Sequence, residues 1–185
     1  KRVVFFDPMG DADKSFTKCA SVDAIRVDMR AHWHTFRLYY TPKAGQEAKT
    51  LSALCKLLMR AQHPYKEGRT TAKITLVIDE MNQAFPVHGG VEKCPGFADV
   101  CSRGRHYGIE VIGASQRIAE VSTRFRGNCT QTVVFRQKGP RDKQAAASEL
   151  GVGVHKLPTK NFDYFIENNG TIIGPCRIRL NVTKK

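Results

Sequence analysis

Short apolar runs alternate along this chain with longer amphipathic stretches. Arg2–Asp7 (RVVFFD) is a β-branched and aromatic run closed by Pro8, Met9 and Gly10, which predicts a buried strand and a turn. Ala24–Met29 and Thr35–Tyr40 read as two further short strands, while Ser15–Ser21 fits neither periodicity. From Gln46 to Gln62, Leu51, Leu54, Leu57, Leu58 and Ala61 recur at helical spacing, and His63-Pro64 stops the helix they predict. Ile74–Ile78 (ITLVI) is apolar without a break, as expected of a strand covered on both faces in a parallel sheet, and it ends in Asp79-Glu80. A Gly/Pro loop over Phe85–Gly96 and a helix over Phe97–His106 lead to another buried strand, Gly108–Ala114, closed by Ser115-Gln116-Arg117. Beyond it the pattern predicts a short helix (Ile118–Arg124), a third buried strand (Thr132–Arg136) and a helix (Asp142–Leu150) stopped at Gly151. Phe162–Glu167 and Thr171–Arg179 flank Asn168-Asn169-Gly170, a hairpin turn.

Buried strands alternating with helices predict an α/β fold: a mainly parallel sheet flanked by helices, with a C-terminal β-hairpin. No repeat, linker or low-complexity tract divides residues 1–185, so a single core domain is expected. The apolar runs are strand-sized, which excludes a membrane span of the helical type, and no apolar leader is read as a secretory signal. The chain opens at Lys1 rather than Met and enters a strand at once, so a fragment is expected.

Charge changes the picture more than composition does. Thirty Lys and Arg against seventeen Asp and Glu give +13, and a surplus of that size favours a polyanionic partner through counterion release. The six cysteines, Cys19, Cys55, Cys94, Cys101, Cys129 and Cys176, form no CxxC and are expected to be reduced thiols. His88, Cys94, Cys101 and His106 match no tight zinc-ligand spacing.

The chemistry concentrates where predicted strands end. Thr75–Ile78 followed by Asp79-Glu80 has the hhhhDE form of a Walker B motif, with both carboxylates at the carboxyl end of a parallel strand, where open α/β sheets bind ligands. A carboxylate there can hold Mg²⁺ directly or through water, and its neighbour can polarise an attacking water; an ordinary solvated strand end would look the same. Gln116, thirty-six residues after Glu80, ends the next buried strand and offers a neutral amide to a phosphate or a water. Arg103-Gly104-Arg105 places two guanidinium groups before that strand, suited to phosphate by their planar fork, or to a DNA backbone.

Taken in order, VVFFDPMGD, TLVIDEMNQAF, RGRHYGIEVIGASQR, NCTQTVVFRQ and FDYFIENNGTIIG resemble the FtsK–HerA superfamily of ring-forming P-loop ATPases. Within it the chain is most similar to the genome-packaging ATPases of double-stranded DNA viruses with an internal membrane. The resemblance covers nearly the whole chain and implies a RecA-like (ASCE) P-loop sheet. It implies ATP and Mg²⁺ as cofactors, with Asp79 on the metal side, Glu80 activating water and Gln116 as sensor. Arg105, with Arg103 beside it, becomes the candidate arginine finger reaching a neighbouring subunit, and Arg136 a second one. Asp7 and Asp11 would shape the metal side of the site.

The same resemblance implies an ATPase that packages or translocates double-stranded viral DNA as a homo-oligomeric ring, a pentamer or hexamer, at a packaging vertex or in the host cytoplasm. Portal or vertex proteins are implied as partners. A conjugation or DNA-processing translocase of the same superfamily, or a non-catalytic basic nucleic-acid-binding module on a degenerate ATPase fold, are the alternatives. The chain departs from the family in lacking GxxxxGK[ST]. Its nearest imitation, Gly10–Ser15 (GDADKS), has no Gly before Lys14 and two carboxylates where phosphate would sit. The expected phosphate-loop unit of about 20–30 residues, one βα element, is therefore placed upstream of Lys1.

Between Cys101 and Lys143 nine Lys and Arg stand against three acids, so less than a quarter of the chain holds nearly half of the net charge. Arg124, Arg126, Lys138, Arg141 and Lys143 are the candidates for gripping DNA phosphates without reading sequence. Pro86–Pro95 is a candidate pore loop, and Trp33, Tyr39 and Tyr40 are expected in the core.

Overall fold

The computed structural model describes residues 1–179. They fall into two compact units, Lys1–Gln116 and Arg117–Lys185.

The first unit contains β1 (Arg2–Phe6), β2 (Thr17–Lys18), α1 (Val22–Ala31), β3 (Phe36–Tyr40), α2 (Glu47–Ala61), α3 (His63–Lys66), β4 (Ile74–Ile78), α4 (Met81–Ala84), α5 (Gly90–Lys93), α6 (Pro95–Arg103), a 3₁₀ turn (Gly104–Tyr107) and β5 (Ile109–Gly113). Its five strands are all parallel, in the order β2-β3-β1-β4-β5. Val4 and Phe6 of β1 and Ile74, Leu76 and Ile78 of β4 are fully buried at the centre, which is why these runs carry no polar interruption. Helix α2 turns Leu51, Leu54, Cys55 and Leu58 inward. At Gly96 of α6 a Cβ would lie 2.2 Å from the Ser52 carbonyl oxygen, so glycine is what lets α6 approach α2.

Ala24–Met29, expected as a strand, lies within helix α1. Ile25, Val27 and Met29 alternate as a strand would, but Ile25 and Met29 are buried and Val27 is 59% exposed, the i, i+4 pattern of a helix. The cap settles it: Ser21 Oγ accepts from the Ala24 amide at 3.0 Å, with Asp23 in the first turn. The ambiguous Ser15–Ser21 yields only the two-residue edge strand β2, and the helix expected to reach His106 ends at Arg103. Part of the Pro86–Pro95 loop is helical, as α5. Trp33 lies against the Arg2 guanidinium, 4.5 Å from its ring centroid.

The second unit holds a 3₁₀ turn (Ile118–Glu120), α7 (Thr123–Arg126), β6 (Gln131–Phe135), α8 (Pro140–Leu150), a 3₁₀ turn (Val154–Lys156), β7 (Asp163–Asn168) and β8 (Thr171–Arg177). Val134, Ala146, Ala147, Leu150 and Leu157 form its core. Thr132–Arg136, expected as a third buried strand of the parallel sheet, instead gives β6 at the edge of an antiparallel sheet ordered β6-β7-β8. Val134 is buried, but Val133 and Phe135 are 45% and 40% exposed. A short apolar run does not reveal which sheet it joins. The β7–β8 hairpin turns as expected, with Asn169 and Gly170 both at positive φ.

The parallel sheet with flanking helices and the C-terminal hairpin are the architecture read from the sequence. No helix among the described residues is long and apolar enough to cross a membrane.

Candidate active site at the carboxyl rim of the parallel sheet

Strands β1, β4 and β5 lie side by side, with Phe6 in register with Ile78 and Ile78 with Gly113. Asp7, Asp79 and Ala114 therefore leave the sheet along one rim. The Asp79 amide donates to the Phe6 carbonyl at 3.0 Å and the Ala114 amide to Ile78 at 2.8 Å. The chain then folds back, the Met81 amide donating to the Ala114 carbonyl at 2.8 Å. Glu80 makes this turn in the left-handed region (φ 43°, ψ 52°), which is costly for a residue with a Cβ and recurs where side chains are aimed for function.

Across the rim the Gln116 side-chain amide donates to Glu80 Oε1 at 2.8 Å. Beside it Ser115 Oγ donates to Asn82 Oδ1 at 2.9 Å, a second tie between the segments that follow β4 and β5. Sequence reading passed over Asn82 and Ser115. The available signal was the position of Asn82, three residues beyond Asp79 in the segment that must turn back. Asp79, Glu80 and Gln116 are thus brought together, and the Asp79 carboxylate forms no ion pair with any described residue.

Asp7 is bound to the loop that follows it. It is fully buried, and its two oxygens accept from the amides of Met9 (3.2 Å), Gly10 (2.8 Å) and Ala12 (2.8 Å). The carboxylate organises its own loop. Asp11 is exposed. In the GDADKS stretch Asp13 Oδ1 accepts from the Ser15 amide at 2.8 Å, and the Ser15 bonds hold its carboxyl below the usual range. That turn presents a carboxylate, not a phosphate cradle.

Arg103 and Arg105 precede β5 and so lie at the amino end of the sheet, with five residues of strand, about 16 Å, between them and the rim. Arg103 pairs with Asp99 at 2.9 Å, one helical turn earlier. Arg105 is exposed in the 3₁₀ turn and has no carboxylate partner among the described residues.

The family model for zonular occludens toxin (Zot) matches residues 28–165, about three quarters of the sequence. The chain belongs to the Zot family. No curated protein matches this Zot-family sequence. Among solved structures, the genome-packaging NTPase B204 of Sulfolobus turreted icosahedral virus 2, bound to AMPPCP, superimposes with a TM-score of 0.74 at 16% identity, covering 97% of this chain and 84% of that one. The DNA-packaging ATPase B204 of Sulfolobus turreted icosahedral virus gives 0.69 at 13% identity, over 96% and 83%. The bacterial conjugative coupling protein TrwB gives 0.53 at 13% identity, over 81% and 43%. These neighbours place the Zot-family chain in the P-loop NTPase fold, as the resemblance to FtsK–HerA ATPases implies.

The donor set of this Zot-family chain can be tested against the implied cofactors. No group of three His, Cys, Asp or Glu able to hold a metal occurs among the described residues. A protein cage for zinc is thus not formed by His88, Cys94, Cys101 and His106. Burial pushes the Cys94 thiol up to about 11. One carboxylate, Asp79, without a competing cation, fits Mg²⁺, which usually takes one or two protein oxygens plus water and phosphate. The sequence contains no GxxxxGK[ST] phosphate loop.

In the second unit, Arg136, Lys138 and Arg141 are exposed, Arg124 is exposed and Lys143 half-buried. Arg126 is the exception among the expected DNA contacts. Its guanidinium is half-buried, pairs with Glu149 and donates to the Val121 carbonyl at 3.1 Å, so it braces α7 against α8. Arg117 pairs with Glu120 at 2.6 Å.

Proposed function

We propose that this Zot-family chain carries the metal-side and water-side half of an ATPase site in a motor that translocates or packages double-stranded DNA. The observation that supports it is the hydrogen bond of Gln116 to Glu80 beside Asp79, at the rim where parallel sheets bind ligands. In this reading Asp79 would hold Mg²⁺, directly or through water, and the metal would supply positive charge beside the phosphates. Glu80 accepts a proton from the attacking water. Gln116, neutral, fixes the Glu80 carboxylate and senses the phosphate that water attacks. Catalysis is positioning and charge stabilisation.

The phosphate cradle is then supplied by a segment upstream of Lys1. Ile112 on β5 is 56% exposed, and no described strand covers the outer edge of β5; a further parallel strand there would cover both. The distance of Arg103 and Arg105 from their own rim favours service to a neighbouring subunit, hence a ring, with Arg105 the better finger because Arg103 is paired. Arg136 is the second candidate. Arg124, Lys138, Arg141 and Lys143 are assigned to the DNA backbone. The neighbours named as packaging enzymes of viral genomes favour packaging over conjugative transfer. Portal or vertex proteins are the expected partners, in the host cytoplasm or at a packaging vertex.

The test uses the full-length protein. Glu80→Gln should retain ATP binding, read by a fluorescent analogue, and lose DNA-stimulated hydrolysis. Near-normal turnover in that variant rejects the reading.

A further inference from the structure

Helix α2 buries one stripe and exposes another, and the exposed stripe is of one sign. Lys49, Ala53, Lys56 and Arg60 follow at i, i+4, i+7 and i+11, and all four are exposed. No acid interrupts the stripe. The one acid of the helix, Glu47, accepts from the Gly45 amide at 3.0 Å at the helix start. Lys56 and Arg60 stand one turn apart, where like charges repel and an opposite charge would stabilise. None of Lys49, Lys56 and Arg60 forms an ion pair with a described residue. Four other exposed cations of this unit are matched, Arg26 by Asp23, Arg69 by Glu67, Lys73 by Glu110 and Arg103 by Asp99, so what marks the α2 cations is their alignment on one helix face with no acid among them.

At the amino-terminal end of the stripe lies a cavity of about 290 Å³, lined by Tyr40, Lys43, Gln46, Lys49, Thr50 and Ala53 among others. It opens where β3 ends, on the carboxyl rim. Lys43 and Lys49 both line it, no carboxylate does, and Lys43 too is unpaired among the described residues. The row therefore begins in a pocket with room for a phosphate group and continues down the helix for about 16 Å at 1.5 Å per residue.

We propose that the α2 stripe and the Lys43–Lys49 pocket bind the phosphate backbone of double-stranded DNA, a second contact surface separate from the basic residues of the Arg117–Lys185 unit. The pocket has one ring, Tyr40, and the helix stripe has none, too few to stack successive unpaired bases, which favours a duplex over a single strand. Contacts of Lys and Arg to phosphate oxygens hold the duplex without reading its sequence. This surface rests on the DNA-translocating reading above, and the experiment separates the two.

Binding of full-length protein to a duplex of random sequence is followed by fluorescence anisotropy at several salt concentrations. The triple variant Lys49→Gln/Lys56→Gln/Arg60→Gln is compared with Lys138→Gln/Arg141→Gln. The α2 triple should lower the slope of log K against log[salt] by about 2.7, at about 0.9 per phosphate released. An unchanged slope in the α2 triple, with the other variant weakened, overturns the α2 surface and leaves the DNA reading standing. Absence of duplex binding by the wild-type protein overturns both. Lysine acetylation of the wild-type protein, which needs no substitution, should show Lys43, Lys49 and Lys56 protected by duplex. Full acetylation in a DNA-saturated sample counts against the proposal, and protection by an acidic protein but not by duplex assigns the face to a protein partner instead.

Discussion

Gln116 donates its side-chain amide to Glu80 at 2.8 Å although thirty-six residues separate them. The contact exists because β4 and β5 are adjacent parallel strands in register, so their carboxyl tips coincide. Changing Gln116→Glu would put two carboxylates within hydrogen-bond distance, and like charges that close do not both ionise near neutrality. One of them keeps its proton to higher pH. In the full-length protein the acid limb of the hydrolysis profile should therefore move to higher pH in Gln116→Glu. Gln116→Ala should lower the rate about ten- to a hundredfold without moving that limb. A limb that stays in place in Gln116→Glu separates Gln116 from the working of Glu80.

Arg103 and Arg105 differ in what already holds them. Arg103 is paired with Asp99, whereas Arg105 has no described carboxylate partner. Arg105→Ala should reduce turnover of the assembled protein by about a thousandfold, the scale of an arginine finger, and leave nucleotide binding intact. Arg103→Ala should have a small effect, since the pair is exposed and such pairs contribute little. Mixing Arg105→Ala with Glu80→Gln subunits tests the trans arrangement: partial recovery of turnover is expected only if the two residues act across an interface.

Asp7 should matter for stability rather than chemistry. Its buried carboxylate satisfies three amides of the loop that follows β1. Asp7→Ala leaves those donors without an acceptor and should cost about 3 kcal/mol in a urea titration. Asp7→Asn should fall between the two, because an amide oxygen replaces only one of the two acceptors.

The thiols give a pH-dependent readout of the fold. Burial and the neighbouring Asp28 push Cys19 up to about 12, burial pushes Cys94 and Cys129 up to about 11, and burial raises Cys55 well above an ordinary thiol. A raised pKa leaves the thiol protonated, and the thiolate is the reactive form. At pH 8 these four should react slowly with Ellman's reagent in the native protein and at the ordinary thiol rate in 6 M guanidinium, about the range used for full unfolding. Rapid labelling of Cys94 in the native state would contradict the burial of the α2–α6 contact.

Residues whose meaning is local were readable in one dimension. ITLVI followed by Asp79-Glu80 declares a doubly covered strand and its acid tip, because a buried parallel strand tolerates no polar break and the first residue outside it must be soluble. Asn169-Gly170 declares its turn because few residues accept positive φ. The alternation of Ala24–Met29 satisfies both periods over six residues, and Ser21, one residue before helix α1, carries the hydrogen bond that decides for the helix. What lies across a distance is not readable so: that Gln116 touches Glu80, that Asn82 ties to Ser115, that Arg126 is held by Glu149, and that β6 joins β7 rather than the parallel sheet. Strand neighbours and ion pairs follow from three-dimensional adjacency, which the order of residues along a chain constrains only through the packing that folding completes.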